Sequence, residues 1–265
     1  MKISVIGAGA MGGALVEGLV KASYFKKEEI MVSDPSQAVI DKFTALGVCA
    51  TTDSQDCARE SDIVCVCVKP WIVEGVIKTI APHLDPKRHI LIVIAAGVAS
   101  ASIKEWIAAS RDKADEHFPL FLIIPNIAIA QLSSMTFVAP ITYAPKHSAL
   151  VHEIFDTMGH TLFTDEQHLA AGTTLASCGI AYAMRYIRAA SEGGVELGFK
   201  ADDAKQIVMQ TMKGAVELLE ASGMHPEQAI DLVTTPGGLT IKGLNEMEHA
   251  GFTSAVVRGL KAGLK

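Results

Sequence analysis

The opening of this chain constrains it most: the apolar run ISVIG (3–7) feeds directly into GAGAMGG (7–13). A short strand is followed by Gly7-Ala8-Gly9-Ala10-Met11-Gly12. Then Met11, Ala14, Leu15, Leu19 and Val20 recur at helical spacing over 10–22. The pattern G-x-G-x-x-G is weak alone and specific between a strand and a helix. Gly7 permits the tight turn, Gly9 lets backbone approach a pyrophosphate, and Gly12 lets helix and strand pack closely. The helix start at Ala10 and Met11 offers N–H groups and the positive dipole end to phosphate oxygens. A dinucleotide cradle is expected here. A second strand, IMVS (30–33), ends at Asp34, where an acid would accept from the ribose hydroxyls of NAD. No arginine stands beside it to receive a 2′-phosphate, so NADH is favoured over NADPH, although Ser33 and Ser36 could still hydrogen-bond a phosphate. A turn or cap residue before Pro35 is the alternative reading of Asp34.

The pattern then repeats. DIVCVCV (62–68), HILIVIA (89–95), LFLII (120–124), MTFVAP (135–140) and TLFT (161–164) read as strands, and a helix is expected near 36–46. Near-continuous apolar strands separated by helices call for a doubly wound α/β sheet covered on both faces. After about residue 164 no strand is evident. Residues 168–197 and 202–222 read as long helices, with shorter ones near 226–233, 241–249 and 252–263. The expected organisation is a Rossmann-type dinucleotide domain over 1–164 and a helical domain over 165–265. The stretch ASCGIAYAM (176–184) is apolar or small nearly all round, which calls for burial against another chain.

Composition narrows the partners. A net charge of −6 gives no electrostatic footprint for nucleic acid. No apolar run reaches the 18 or so residues of a membrane span, and the N-terminal run is too short for a signal peptide. Five cysteines, Cys49, Cys57, Cys65, Cys67 and Cys178, show no CxxC spacing and read as reduced thiols of a cytoplasmic protein. Cys65 and Cys67 are expected on one side of a buried strand. The histidines at 83, 89, 117, 147, 152, 160, 168, 225 and 249 form no ligand cluster, so no metal is expected. Trp71 and Trp106 are read as packing residues.

A second glycine turn, VTTPGGLTIKGL (233–244), lies in the helical half with no strand before it. Together with the first turn, the strand-end Val68-Lys69-Pro70, the turn Ala95-Ala96-Gly97, Pro125-Asn126, Gly194-Val195, Leu197-Gly198, Gln210-Thr211 and Gly214-Ala215, it makes the chain resemble pyrroline-5-carboxylate reductases nearly end to end. The block Val233–Gly238 is the most specific part. The resemblance implies reduction of a five-membered cyclic imine to L-proline with NADH or NADPH, in proline biosynthesis. It also implies helical domains interlocked as a homodimer, with higher oligomers in many members, and a site between cofactor and the partner's helical domain. Carried over residue by residue, Gly7, Gly9, Ala10, Met11, Gly12, Asp34, Val68, Lys69, Pro70, Ala95, Ala96, Gly97 and Asn126 would hold the cofactor. Thr235, Gly237, Gly238, Leu239 and Thr240 would hold the substrate, and the hydroxyl of Thr240, the catalytic candidate, would meet the ring nitrogen. An N-cap for helix 241–249 is the other role open to Thr240.

The sequence departs from that family at Ile127, Cys178, Ile180, Arg188 and Leu239. The family usually reads MPNTPA at 124–129 and SGSGPAY at 176–182, carries Glu where Arg188 stands, and has a small or hydroxylated residue at 239. These positions cluster around the expected substrate pocket. They leave open an altered imine substrate or a cofactor-binding regulator without catalysis. Arg188 would either add charge to the pocket or form an interhelix or surface ion pair. A β-hydroxyacid dehydrogenase shares the first turn and a helical second domain, but that class needs a lysine on its long helix, and 168–197 contains none.

Overall fold

The computed structural model describes residues 1–111 and 118–264; His117 lies outside them. The chain divides into two compact units, Met1–Ser177 and Cys178–Lys265.

The first unit is built on eight strands: β1 Ile3–Ile6, β2 Ile30–Ser33, β3 Cys49–Thr51, β4 Ile63–Val66, β5 Ile90–Val93, β6 Leu120–Ile124, β7 Ser134–Thr142 and β8 Gly159–Phe163. Their order across the sheet is β3-β2-β1-β4-β5-β6-β7-β8. Every neighbouring pair is parallel except β6 and β7, which run antiparallel. The exception follows from chain length. Only residues 125–133 join β6 to β7, too few for a parallel crossover of a dozen or more residues. A 3-10 turn, Ile127–Gln131, reverses the chain instead. The three-residue strand β3 and this reversal are the two features of the sheet that the apolar runs do not announce.

Among the described residues the sheet is covered by α1 Ala10–Ala22, α2 Gln37–Ala45, α3 Ser54–Glu60, α4 Pro70–Ile80, α5 Ser100–Ala109 and α6 Pro145–Asp156. Strand periodicity sorts the core into two layers. Val5, Cys65, Ile92 and Phe121 face one side, with Leu15 and Leu19 of α1, Phe43 of α2 and Phe155 of α6. Ile6, Val64, Val66, Leu91 and Val93 face the other, with Val73, Ile77 and Ile80 of α4 and Ile103 of α5. Each such fully buried side chain contributes roughly 1.5–3 kcal/mol. Cys65 and Cys67 share the first layer, as their alternation predicts. Burial pushes the thiols of Cys57 and Cys67 up to about 12, and that of Cys65 up as well, so all three are inert neutral packing groups.

A connector follows: a 3-10 turn Glu166–His168, α7 Leu169–Gly172 and a π-helical turn Thr173–Ser177. The boundary between units therefore falls later than the composition change near 164. Leu169 is buried in the second core layer, and the Ser177 hydroxyl donates to the Pro125 carbonyl at 2.7 Å. The connector thus packs on the sheet although it is helical.

The second unit consists of α8 Cys178–Glu196, α9 Ala201–Ser222, α10 Pro226–Leu232, α11 Leu239–His249 and α12 Phe252–Ala262. Among its described residues only Ala204 is buried. Met184, Leu197, Leu218 and Leu232 are 57%, 82%, 68% and 70% exposed. Large apolar side chains thus stand exposed along these helices.

Candidate active site

The first glycine turn folds as its spacing requires. Gly7 has φ +89°, and a Cβ there would meet Val68 Cγ1 at 2.5 Å and the Cys67 carbonyl oxygen at 2.6 Å. At Gly12 a Cβ would lie 1.9 Å from the Gly7 oxygen, so this glycine is spent on packing α1 against its own turn. Gly9 differs: no atom lies within 4 Å of a Cβ placed on it. Gly9 is also the cap residue of α1, no side chain caps the helix, and its first turn holds no acid. An open glycine in front of an uncapped helix start fits a phosphate group pressed against backbone N–H groups.

A cleft of about 530 Å³ opens beside this turn. Gly7, Gly9, Ala10, Met11, Asp34, Val68 and Lys69 all line it. Pro70 begins α4, whose Ile72 and Val76 form part of the wall. The turn Ala95–Gly97 follows directly on Ile94, and Asn126 directly precedes Ile127; Ile94 and Ile127 are wall residues. Asn126 itself is committed to the fold. Its Oδ1 accepts from the Ala128 N–H, and its Nδ2 donates to the Ala176 carbonyl at 3.5 Å. Sequence reasoning missed Thr52 and Ser54, which reach the cleft because β3 pairs with β2. Their signal was the short CAT run before them.

Asp34 stands at the end of β2 in contact with the turn. Its Oδ2 accepts from the Ala8 N–H at 2.9 Å and its Oδ1 from the Ser36 N–H at 2.9 Å. Each oxygen has a further lone pair. The carboxylate therefore tethers the glycine turn and can still accept from a ligand hydroxyl. Among the described residues lining the cleft, Lys69 is the one base. Trp71 corrects a sequence expectation: it is 79% exposed at the start of α4 and is not a packing residue, whereas Trp106 is half-buried against the second core layer.

The second glycine turn lies in the helical unit. Gly238 N–H donates to the Thr235 carbonyl at 2.9 Å, with Pro236 and Gly237 between them and Gly237 at φ +71°. Proline then glycine with positive φ is the demand of a type II turn. The turn leads straight into α11, whose cap is Gly238 and whose first turn carries no acidic residue. Thr240 is therefore the second residue of the helix, and the alternative that it caps a helix beginning at 241 falls away. Thr235, Gly237, Leu239 and Thr240 are exposed, Leu239 at 88%. Arg188 pairs within its own helix: its Nε donates to Glu192 Oε1 at 3.1 Å, an exposed pair one helical turn apart. Among the described residues no group of three or more His, Cys, Asp or Glu comes together as a metal site, and no helix is long and apolar enough to cross a membrane.

Comparison with known proteins places these features in context. Residues 166–265 match the family model described as pyrroline-5-carboxylate reductase dimerisation, and residues 2–97 that described as NADP oxidoreductase coenzyme F420-dependent. Pyrroline-5-carboxylate reductase 1 of Dictyostelium discoideum is 36% identical over 97% of this chain, which spans about half (48%) of that protein. Pyrroline-5-carboxylate reductase 2 of the same organism is 32% identical, covering 97% of this chain and 89% of that one. The Methanosarcina acetivorans reductase is 33% identical, with 97% and 94% covered. Among solved structures, Plasmodium falciparum pyrroline carboxylate reductase with NADP bound superposes with a TM-score of 0.88 at 25% identity, covering 100% of this chain and 95% of that one.

Proposed function

The chain belongs to the pyrroline-5-carboxylate reductase family, and on that premise we propose that it reduces the C=N bond of 1-pyrroline-5-carboxylate to L-proline with NADH or NADPH, in proline biosynthesis. The observation that carries this reading is that the chain has two glycine turns, each opening a helix with no side-chain cap: Gly7–Gly12 in the sheet unit and Thr235–Gly238 in the helical unit.

The reduced nicotinamide supplies the hydride. The chain's own residues supply position and charge. The N–H groups at Ala10 and Met11 hold the pyrophosphate, Gly12 keeps α1 close, and Asp34 accepts from the adenosine ribose hydroxyls. That carboxylate repels a 2′-phosphate, which favours NADH. Val68, Lys69 and Pro70 form the wall at the start of α4, and the turn Ala95–Gly97 with Asn126 borders the nicotinamide end. The backbone of Gly237, Gly238 and Leu239 receives the substrate carboxylate at the start of α11. The ring nitrogen enters already protonated as the iminium or takes its proton from water, and the Thr240 hydroxyl holds it as the electron pair of the C=N bond moves onto it. The helical domain pairs with a second copy through its exposed apolar helix faces, as a homodimer or a higher oligomer built from it, in the cytoplasm, and the substrate is a small carboxylate-bearing imine.

An altered imine substrate is the second reading. Ile127, exposed by 49% on the cleft wall, and Leu239 at the first residue of α11 favour it. The test is dinucleotide oxidation with a panel of cyclic imino acids and of 3-oxo acids, on the chain and its Thr240→Ala variant. Turnover of pyrroline-5-carboxylate, reduced at least ten-fold by Thr240→Ala, is expected. Turnover confined to 3-oxo acids would overturn the proposal. Turnover of another imine alone would select the second reading, and dinucleotide binding without turnover would mark a regulator.

A further inference from the structure

Helix α5 begins without a cap of its own. Ala99 occupies the cap position, and the first turn of the helix contains no acidic residue. The acceptor comes from the connector. Glu166 Oε1 accepts from the Ser100 N–H at 2.7 Å, and Glu166 Oε2 accepts from the Ser100 hydroxyl at 2.6 Å. Ser100 is buried, so the helix start is held in a fixed place by a carboxylate that is remote in sequence.

The short stretch ahead of Ser100 is the turn Ala95–Gly97. Its upstream end is fixed where the Ile94 N–H donates to the Val66 carbonyl at 2.8 Å, and Ile94 lines the cleft. Between the two anchors, Ala96 and Gly97 are exposed, and Gly97 has φ +77°. The same connector also holds the turn after β6, through Ser177 to the Pro125 carbonyl and Asn126 Nδ2 to the Ala176 carbonyl. β5 and β6 are adjacent and parallel, so one connector fixes the loops at neighbouring strand ends, and each loop adjoins a cleft-wall residue, Ile94 ahead of the first and Ile127 after Pro125-Asn126 in the second.

We propose that Glu166 is a positioning residue for the dinucleotide: by clamping Ser100 it fixes the exposed turn Ala95–Gly97 against the nicotinamide end of the cofactor. This rests on the reading that the cleft takes a dinucleotide. Glu166 touches neither cofactor nor substrate; it removes in advance the freedom that binding would otherwise have to remove. A merely structural clamp would alter thermal stability and leave the two substrates' constants in proportion. A positioning clamp moves those of the dinucleotide selectively.

The experiment titrates NADH and NADPH against the wild-type chain, Glu166→Ala, Glu166→Gln and Ser100→Ala by dinucleotide fluorescence, and measures steady-state constants with each substrate varied. Losing the cap should raise the dinucleotide Kd and KM about ten-fold in Glu166→Ala. The imine KM and kcat should stay within about two-fold. Glu166→Gln, which keeps one acceptor oxygen without the charge, should fall between. Should Glu166→Ala not fold, Ser100→Ala decides alone. It loses only the hydroxyl bond and should raise the dinucleotide constants about two- to three-fold, with the imine constant unmoved. An unchanged dinucleotide Kd in the folded variants, or equal rises in both KM values, overturns the proposal. A wild-type chain that binds no dinucleotide overturns the reading of the cleft along with it.

Discussion

Replacing Gly9 and Gly12 by alanine, one at a time, separates two jobs that a single motif performs. The added methyl is the same, and the two glycines are three residues apart. At Gly12 the methyl would sit 1.9 Å from the Gly7 oxygen and 3.3 Å from Cys67 Cβ. A carbon–oxygen contact needs well over 3 Å, so α1 must move off its turn by more than an ångström. Leu15 and Leu19 of that helix are fully buried and must move with it. Overpacking of this kind costs typically 1–3 kcal/mol and occasionally more. With a 3 kcal/mol loss the unfolding midpoint should drop by roughly 6–12 °C. At Gly9 the methyl meets nothing and φ is −64°, an ordinary value for alanine. The entropy gain of about 0.4–1 kcal/mol is offset by alanine's poor performance as a cap, leaving stability within about 1 kcal/mol of wild type. The same methyl stands where a pyrophosphate must approach. Losing two charge-assisted bonds at about 1.5 kcal/mol each weakens dinucleotide binding about a hundred-fold. The assays are calorimetry of each variant without cofactor and titration with NADH. Equal losses of midpoint in the two variants, or native affinity in Gly9→Ala, would refute the division of labour.

Asp34→Ser should move the ratio of NADPH to NADH efficiency upward at least ten-fold, and because Asp34 also holds the Ala8 N–H, affinity for both should fall; an unmoved ratio in initial-rate assays removes the acid from ribose recognition. Cys57, Cys65 and Cys67 should resist iodoacetamide until denaturant is added while exposed Cys49 reacts at once, and rapid native labelling of Cys65, read by peptide mass, contradicts the layer assignment. Thiols raised by burial from an ordinary 9.0 to about 12 bind protons that the unfolded chain releases. Their contribution is therefore complete below pH 9 and should be lost as pH rises from 9 towards 12, visible as a falling unfolding midpoint. Leu218→Asp on the uncovered face of α9 should shift sedimentation towards smaller species, and an unchanged distribution would remove that face from the contact.

The sequence alone determined what depends on near neighbours. The strand, turn and helix around Gly7–Gly12 were legible because glycine sterics and a 3.6-residue period act within a few positions. The two-faced burial of β4 was legible from the alternation of Cys65 and Cys67 with Val64 and Val66 for the same reason. The type II turn at Thr235–Gly238 was legible as a turn, but the start of α11 at Leu239, which puts Thr240 in the second helical position, was not. Glycine at a cap leaves no side-chain mark. Tertiary structure decided the remainder. β3 is only three residues long and exists because β2 offers a parallel edge. β7 reverses because residues 125–133 cannot span a crossover. Asp34 on Ala8, Glu166 on Ser100 and Ser177 on Pro125 join positions 26, 66 and 52 residues apart. No local periodicity encodes such pairs, because the sheet's strand order brings together the ends of segments whose sequences carry no reference to one another.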